Sequence, residues 1–332
     1  MKSPEVNLGD FYIKNETLKI LIIMDTTFTQ NWMSKIDGTK RLTELTIPGT
    51  HDSATYDTIF MPAQCQTMNF TDQLNSGIRF LDFRLKRGYD ADDDHVLWFY
   101  HGTLGLNLHF GQVINMLVDF LQRHKDETII MCVKNESDPS NESKQEKFYN
   151  DFNITISNNY PSFFYRENRI PALDEVRGRI VFVKRFATGT VDSSKDGLNL
   201  FDKWPNDSTT PFENNGIKYY VQDNYYSWGS ERADKFTEHV KPALIAAANG
   251  EKDRLYFNFS SGTGVSGGIL PSSTRPIDLA KVVNPLFLDY LKSHQKGRFG
   301  IIPIDYPEIP DNKKLIQSLI NSNEFKLPVP AV

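Results

Sequence analysis

Short apolar runs and longer amphipathic segments alternate along this chain. The short runs have the length and composition of strands, and the segments between them have helical spacing. We predict strands near residues 43–47, 78–84, 96–100, 128–133, 178–184, 218–222, 254–259 and 299–304. This alternation is typical of repeated βα units around a parallel sheet, and eight strands fit a closed or nearly closed α/β barrel.

Three segments between these strands are predicted to be helices. Apolar residues recur at helical spacing over 113–121 and again over 315–320, where Asp311 is a candidate N-cap. A third helix is predicted from about 231 to 249, and Gly250 is placed as its C-terminal stop.

The 332 residues, of which 39% are hydrophobic, can bury the core of one large domain. We therefore expect a single domain over 1–332, with an N-terminal extension at 1–39 and the barrel at 40–322. The polar stretch 188–216 is predicted to be a long surface excursion within that domain. We expect the protein to be a monomer.

The net charge of −5 gives no general attraction to polyanions, so no nucleic-acid partner is expected. The longest early apolar stretch, 18–24, is too short to span a bilayer, and no transmembrane segment is predicted. No basic region followed by a cleavage site is recognisable, so either the chain is not exported through a signal peptide or its signal is removed. We expect a secreted or extracellular protein with its signal removed or absent, and leave a cytoplasmic location open.

Cys65 and Cys132 are the only cysteines, and they lie far apart in the sequence. Cys132 falls inside a predicted buried strand, so two free thiols are expected rather than a disulfide. No Cys and His spacing matches a structural zinc site, and no metal is expected.

Three of the predicted strands end in residues that can carry acid–base chemistry. One strand runs into a Pro-Gly break and delivers His51 and Asp52, the next delivers Asp82 and Arg84 on the same face, and the third ends at His101. Chemistry in barrels takes place at the C-terminal ends of strands, so these groups are expected to meet at one rim. The remaining histidines are interpreted as surface or satisfied core residues: His95, His109, His124, His239 and His294.

These segments resemble the X domain of the phosphatidylinositol-specific phospholipases C, most closely the metal-independent bacterial form. In that family a Gly-Thr-His-Asp-Ser motif, an Asp-X-Arg strand and a His-Gly strand recur in this order. The resemblance runs from about residue 40 to 322 and includes further matches at Lys134, Glu136, Arg185, Asp223, Tyr225 and Asp305. It implies a distorted, incompletely closed TIM barrel.

The resemblance also implies a reaction and roles for five residues. Phosphatidylinositol would be cleaved to diacylglycerol and inositol 1,2-cyclic phosphate without a cofactor. His51 would act as the general base on the inositol 2-hydroxyl, and His101 as the general acid toward the diacylglycerol oxygen, tasks that suit an imidazole near neutral pH. Arg84 would stand where calcium-dependent relatives place the metal, Asp52 would hold Arg84 and support His101, and Asp305 would orient His51.

For the head group, the resemblance points to Lys134, Arg185 and Asp223 as partners of inositol hydroxyls. Tyr225 would stack on the apolar face of the ring. This mixture of charged and aromatic groups suits a sugar-like ligand.

An enzyme that acts on lipid also needs apolar side chains beside its active site. The candidates for this membrane rim are Ile59 and Phe60 after the His51 loop, and Val265, Ile269 and Leu270 in a glycine-rich loop. The expected partner is a phosphatidylinositol lipid at a membrane surface, bound peripherally.

Two alternatives remain open. A metal-dependent barrel phosphodiesterase, such as a glycerophosphodiesterase-like enzyme, also uses two histidines, but it needs a carboxylate cluster for a divalent ion, which Arg84 disfavours. A non-catalytic module that binds inositides or lipid would keep the barrel without the reaction. The acidic run 90–94 does not match a calcium loop, because His95 and His101 occupy the positions of its glycine and glutamate. The sequence also leaves open whether the substrate is free phosphatidylinositol, a GPI anchor or a phosphorylated inositide.

Overall fold

The computed structural model describes residues 26–88, 96–137, 141–226, 232–263 and 275–326. Within these ranges twelve strands belong to one sheet. The strands are β1 (Thr46–Thr50), β2 (Phe80–Arg87), β3 (Leu97–His101), β4 (Leu104–His109), β5 (Ile129–Asn135), β6 (Phe164–Tyr165), β7 (Ile180–Arg185), β8 (Leu198–Asn199), β9 (Ser208–Asn214), β10 (Ile217–Asp223), β11 (Leu255–Asn258) and β12 (Gly300–Ile304). The helices are α1 (Thr26–Gln30), α2 (Phe70–Asn75), α3 (Phe110–Arg123), α4 (Glu142–Asn159), α5 (Leu173–Val176), α6 (Lys241–Asn249), α7 (Pro276–Ser293) and α8 (Lys314–Asn321), and a π-helical turn, Lys235–Val240, directly precedes α6.

The main path through the sheet runs β6-β7-β5-β2-β1-β12-β11-β10-β9. All neighbours from β6 to β10 are parallel, and only β9 is antiparallel to its neighbour on this path. In the described part of the chain β9 pairs with neither β6 nor β8, so the barrel stays open between these edges. The prediction of a distorted, incompletely closed barrel is confirmed.

One predicted barrel strand has a different place. The segment 96–100 does form a strand, β3, but β3 is antiparallel to the end of β2 and makes a hairpin with β4. The prediction of eight barrel strands is therefore wrong for this segment, because a period-2 apolar pattern does not distinguish a parallel barrel strand from a hairpin. Gly102, at a φ of 59°, supplies the left-handed turn residue of that hairpin.

Three further boundaries differ from the predictions. The first strand covers 46–50 rather than 43–47, because Leu42–Glu44 form a 3-10 turn. The excursion 188–216 contains all of β8 and β9, so it is not a loop throughout. Asp311 does not cap α8, since Lys313 with a φ of 72° precedes the helix. The C-terminal stop at Gly250 is confirmed by the end of α6.

The described part of the N-terminal extension packs into the core. Trp32, Met33 and Ile36 are fully buried, and the Trp32 indole nitrogen donates to the Gly77 carbonyl at 3.0 Å.

Cys65 and Cys132 are buried free thiols, as predicted. Among the described helices, none is long and apolar enough to cross a membrane. The single-domain organisation over 1–332 stays a prediction, and the stretches 18–24 and 90–94 lie outside the described residues.

A buried ion pair lies just before β2. Arg79 and Glu127 are both fully buried, and their side chains meet at 2.8 Å. The Arg79 guanidinium also donates to backbone carbonyls of Thr29, Gln30, Leu74 and Ile78. Arg79 therefore links the N-terminal segment to the start of β2 through hydrogen bonds.

Candidate active site

A cavity of about 610 Å³ opens at the C-terminal ends of the strands. It is lined by the predicted polar site residues except Asp52 and Asp305, which are buried directly behind it. The lining residues are His51, Pro62, Cys65, Arg84, His101, Lys134, Arg185, Phe201, Trp204, Pro205, Asn206, Asp223, Tyr225, Tyr226, Gly262, Thr263 and Pro276. The structure thus brings together groups that are up to 254 positions apart in the sequence, as for His51 and Asp305.

Three cations stand side by side because of strand register. Arg84 on β2 is paired with Lys134 on β5, and Lys134 is paired with Arg185 on β7. Side chains at paired positions of parallel strands point to the same face. The register therefore produces a row of positive charge along one wall of the cavity.

Carboxylates surround the first of these cations. The Nε of Arg84 lies 3.4 Å from Asp52 and 3.5 Å from Asp82, and Nη1 lies 3.8 Å from Glu136. Burial alone would lower the pKa of Arg84, but these carboxylates raise it well above its usual value. Arg84 is consequently a permanent cation whose position is fixed from several sides.

The hydrogen bonds of His51 assign its tautomer. Nη2 of Arg84 lies 2.6 Å from Nε2 of His51, and a guanidinium can only donate, so Nε2 is the acceptor. The proton is therefore on Nδ1, which donates to Asp305 Oδ1 at 2.8 Å. Burial opposes protonation of His51, but the Asp305 carboxylate outweighs it, and the pKa of His51 is raised. His51 thus has a basic nitrogen that faces Arg84.

The backbone around His51 is held tightly. A Cβ at Gly49 would lie 2.8 Å from the Phe80 side chain, which explains the glycine before this turn. Gln66 donates to the His51 carbonyl at 2.7 Å. Asp52 has a φ of 41°, a strained value for a residue with a side chain, and its amide donates to Asp82 at 3.2 Å.

His101 forms a pair with Asp52, whose Oδ2 lies 3.5 Å from His101 Nε2. Burial raises the pKa of Asp52 to about 7, although Arg84 opposes this rise. Burial and the charge of Arg84 lower the pKa of His101 to about 3. In the absence of a ligand the proton of this pair therefore resides on Asp52 rather than on His101, and Asp52 gains it as the pH falls through about 7.

The other two cations of this row also have carboxylate partners. Lys134 lies 2.8 Å from Glu136, and Arg185 lies 3.4 Å from Asp82 and 4.0 Å from Asp223. Burial lowers the pKa of Lys134, and Arg84 adds to this effect. These cations and Asp223 offer both donors and acceptors to a polar ligand.

Comparison with known proteins identifies the family. Residues 39–186 match the model of the phosphatidylinositol-specific phospholipase C X domain. The chain is 31% identical to the 1-phosphatidylinositol phosphodiesterase of Staphylococcus aureus strain Newman, over 89% of this chain and 94% of that protein. It is 30% identical to the protein of the same name from Listeria monocytogenes, over 91% of this chain and 88% of that one.

The chain belongs to the phosphatidylinositol-specific phospholipase C family. A crystal structure of a pentafluoro-Phe incorporated phosphatidylinositol-specific phospholipase C from Staphylococcus aureus superposes with a TM-score of 0.76, at 26% identity over 90% of this chain and 99% of that one. The structure of phosphatidylinositol-specific phospholipase C from Listeria monocytogenes gives a TM-score of 0.69 at 28% identity, over 90% and 99% of the two chains. The barrel of this phospholipase C family member is therefore that of the bacterial proteins.

The sequence of this phospholipase C family member assigns no specific role to three residues of the site. Asp82 lies beneath Arg84 and Arg185, and its place in the Asp-X-Arg pattern was an available signal. Cys65 and Trp204 line the cavity, but neither lies on a predicted strand or in a recognised motif. Their positions depend on long-range packing that a local pattern does not record.

Two groups of side chains in the described ranges could offer ligands to a metal. They are His51, Cys65 and Asp305, and Asp52, Cys65 and His101, with ligand atoms within 4.8 Å of one another in each group. The permanent charge of Arg84 lies against His51 and Asp52, and this disfavours a divalent cation in the phospholipase C cavity.

An apolar projection borders the cavity. The side chains of Ile59 and Phe60 are 100% and 56% exposed, and Pro62 of the same segment lines the cavity. The other predicted rim residues, Val265, Ile269 and Leu270, lie outside the described residues.

Proposed function

We propose that this protein cleaves phosphatidylinositol to diacylglycerol and inositol 1,2-cyclic phosphate without a metal ion. The observation that carries the proposal is the meeting of His51, Arg84 and the Asp52–His101 pair at one cavity. These supply a base, a fixed cation and an acid, which together are sufficient for transfer of a phosphoryl group to an internal hydroxyl. The curated Staphylococcus and Listeria relatives named above support the same substrate.

The first step would use His51 as the base. Its Nε2 carries no proton in the assigned tautomer, and its electron pair becomes available when Arg84 turns from it to the substrate. The raised pKa strengthens this nitrogen as a proton acceptor. Nε2 removes the proton of the inositol 2-hydroxyl, and that oxygen bonds to phosphorus. Because nucleophile and phosphorus belong to one molecule, the attack is intramolecular. Asp305 keeps the ring in position and stabilises the imidazolium that forms.

Arg84 would meet the charge that develops on the phosphoryl oxygens. On substrate binding its Nη2 would exchange His51 for a phosphoryl oxygen, which frees the base and places the cation at the reacting group. A guanidinium offers several donors in a fixed plane, and it cannot lose its charge at physiological pH.

The leaving diacylglycerol oxygen would receive its proton from the Asp52–His101 pair. An anionic phosphate beside His101 raises the affinity of the imidazole for a proton, so the proton moves from Asp52 to His101 and then to the leaving oxygen. The phosphorus–oxygen bond to glycerol breaks as this oxygen is protonated. Water can later open the cyclic phosphate with the two histidines in exchanged roles.

Lys134, Arg185, Asp223 and Tyr225 are proposed to bind the inositol ring, and their arrangement around one wall supports this role. Ile59 and Phe60 are proposed to insert into the lipid surface so that the substrate reaches the cavity without leaving the membrane. Binding would be peripheral, and we propose that the enzyme acts as a monomer, which size-exclusion chromatography tests. Export from the cell stays a prediction.

The test follows phosphorus products by NMR with phosphatidylinositol in mixed micelles, in chelator and separately in calcium. We expect a cyclic inositol phosphate signal in both conditions. His51→Ala should abolish it, whereas His294→Ala, at an exposed helix end, should leave it unchanged. Activity only with calcium would favour a metal-dependent glycerophosphodiesterase-like enzyme, and binding without turnover would favour a non-catalytic lipid-binding module.

A further inference from the structure

We propose that the turn of residues 204–207 positions the side chains that bind the inositol head group. Through this positioning the turn sets the affinity for the inositol ring. This inference rests on the proposed function, and it assigns a role to part of the excursion 188–216. The turn precedes β9 and lies at the opening of the barrel.

Trp204 joins two residues on opposite sides of that opening. The Arg185 guanidinium, at the end of β7, lies 3.5 Å from the centroid of the Trp204 ring. The indole N–H donates to Asp223, at the end of β10, at 2.8 Å. In the described residues β7 and β10 are not neighbours in the sheet, so backbone hydrogen bonds between them do not set their separation. Arg185 and Asp223 lie 4.0 Å apart as an ion pair, and the Trp204 side chain adds a second connection by contacting both of them.

Trp204 is itself fixed. Its ring makes edge contacts with Phe257 and Phe259, at centroid distances of 5.8 and 5.6 Å, and its amide donates to the Leu200 carbonyl at 3.0 Å. An indole held on two aromatic neighbours can hold a guanidinium and a carboxylate in one orientation at little entropic cost.

The same turn fixes the aromatic residue proposed to stack on the ring. Asp207 accepts hydrogen bonds from the amides of Tyr225 and Tyr226 at 2.8 and 2.9 Å. Asn206 accepts a hydrogen bond from the Tyr225 hydroxyl. Three of the four proposed head-group residues, Arg185, Asp223 and Tyr225, are therefore held by one four-residue segment.

The turn contacts binding groups, whereas the reacting atoms face His51, Arg84 and His101. Changes in Trp204 should consequently act on KM more than on kcat. With the soluble substrate inositol 1,2-cyclic phosphate, Trp204→Phe retains a ring beside Arg185 but loses the donor to Asp223. We expect a rise in KM of about tenfold, equivalent to about 1.4 kcal/mol, and a kcat near the wild-type value. Trp204→Ala, which also removes the ring, should raise KM further.

The matched control is Trp98→Phe, since the Trp98 ring lies against His109 instead of lining the cavity, and wild-type kinetics are expected. In an Asp223→Ala background, Trp204→Phe should have little further effect on KM, because its partner is already absent. Calorimetric Kd values for the same substrate in a His51→Ala background repeat the comparison without turnover.

A wild-type KM and Kd in Trp204→Phe would overturn the inference. An equal effect of Trp204→Phe with and without Asp223 would do the same, as would a fall in kcat at unchanged KM. If the wild-type protein itself forms no cyclic phosphate from phosphatidylinositol and does not hydrolyse that phosphate, the proposed function fails, which is a different outcome from an active enzyme that is indifferent to Trp204.

Discussion

Replacing Asp305 by Asn tests how far His51 depends on a single carboxylate. An Asn side chain must place its NH₂ at one of the two oxygen positions of Asp305. Facing His51, the NH₂ donates to Nδ1 and forces the ring proton onto Nε2, where Arg84 already donates. Facing away, it occupies the site of Oδ2, which is buried and has no hydrogen-bond partner in the described structure. Both arrangements leave a buried donor unpaired.

The size of the effect follows from the tautomer. An unpaired buried donor costs about 1–3 kcal/mol, and the first arrangement also removes the basic nitrogen. The corresponding Asp→Asn change in Ser-His-Asp hydrolases lowers kcat by about 10,000-fold, and it also acts through the wrong tautomer. For Asp305→Asn we expect a loss of about 1,000- to 10,000-fold in kcat on this basis.

A second consequence is a shift with pH. Asp305 raises the pKa of His51 against the effect of burial, so a neutral Asn lowers that pKa. The base is active when it is unprotonated, and the acidic limb of the kcat/KM profile should therefore move to lower pH.

The assay is formation of cyclic inositol phosphate from phosphatidylinositol in mixed micelles across the pH range, because His51 acts as the base in that step. Asp289→Asn, an exposed change on α7, serves as the control and should match the wild-type enzyme. A rate close to the wild-type value together with an unmoved acidic limb would refute the role given to Asp305.

Four other sites yield predictions. Arg84→Ala should lower kcat by about 100- to 1,000-fold on the soluble substrate in chelator, because the phosphoryl charge loses a fixed donor; a small effect would contradict its assignment. Asp52→Asn removes the carboxyl whose pKa is about 7, and that group supplies the acid only below this pH. The variant should be weakly active and should lack the alkaline limb near pH 7 in its kcat/KM profile, which reports groups of the free enzyme. Persistence of that limb would argue against the proton pair. Serine at both Ile59 and Phe60 should weaken sedimentation with phosphatidylinositol vesicles, since each apolar side chain contributes up to about 1.5–3 kcal/mol when buried. Hydrolysis of the soluble substrate should be unaffected, and equal losses on both substrates would exclude a membrane role. Arg79→Ala should lower the free energy of unfolding in urea by about 3–5 kcal/mol, because its buried carboxylate partner loses its counter-charge; an unchanged midpoint would contradict this.

The sequence was most informative where local pattern and chemistry coincide. The strands that bring His51 and Arg84 to the cavity could be predicted because apolar runs give way to polar residues there, and the C-terminal ends of strands meet at one rim in a parallel barrel. The convergence of Lys134 and Arg185 with them follows from the same rule. The resemblance to the phospholipase C family supplied the distortion of the barrel, which no local pattern indicates.

The parts that could not be predicted depend on contacts that are distant in sequence. The hairpin position of β3 is decided by pairing with the end of β2, and the alternation of apolar residues is the same in either arrangement. Trp204 lies in a polar stretch where an aromatic residue gives no directional signal, and its role appears only once Arg185 and Asp223 are in place. Aspartate is a residue type that often caps helices, but the helix begins only at Lys314, and Lys313 rather than Asp311 directly precedes it.

The pairing register of β2, β5 and β7 also affects how such a site can change during evolution. Beneath the row of Arg84, Lys134 and Arg185 lies a second row on the same face, two positions earlier in each strand: Asp82, Cys132 and Val183. Substitutions in the upper row alter which ligand is recognised, while the lower row mostly serves packing. A one-residue insertion in β5 would instead turn Lys134 away from the cavity and bring an apolar neighbour in its place. New specificities are therefore accessible through point substitutions in the upper row, whereas changes of length are tolerated only in the connections between strands.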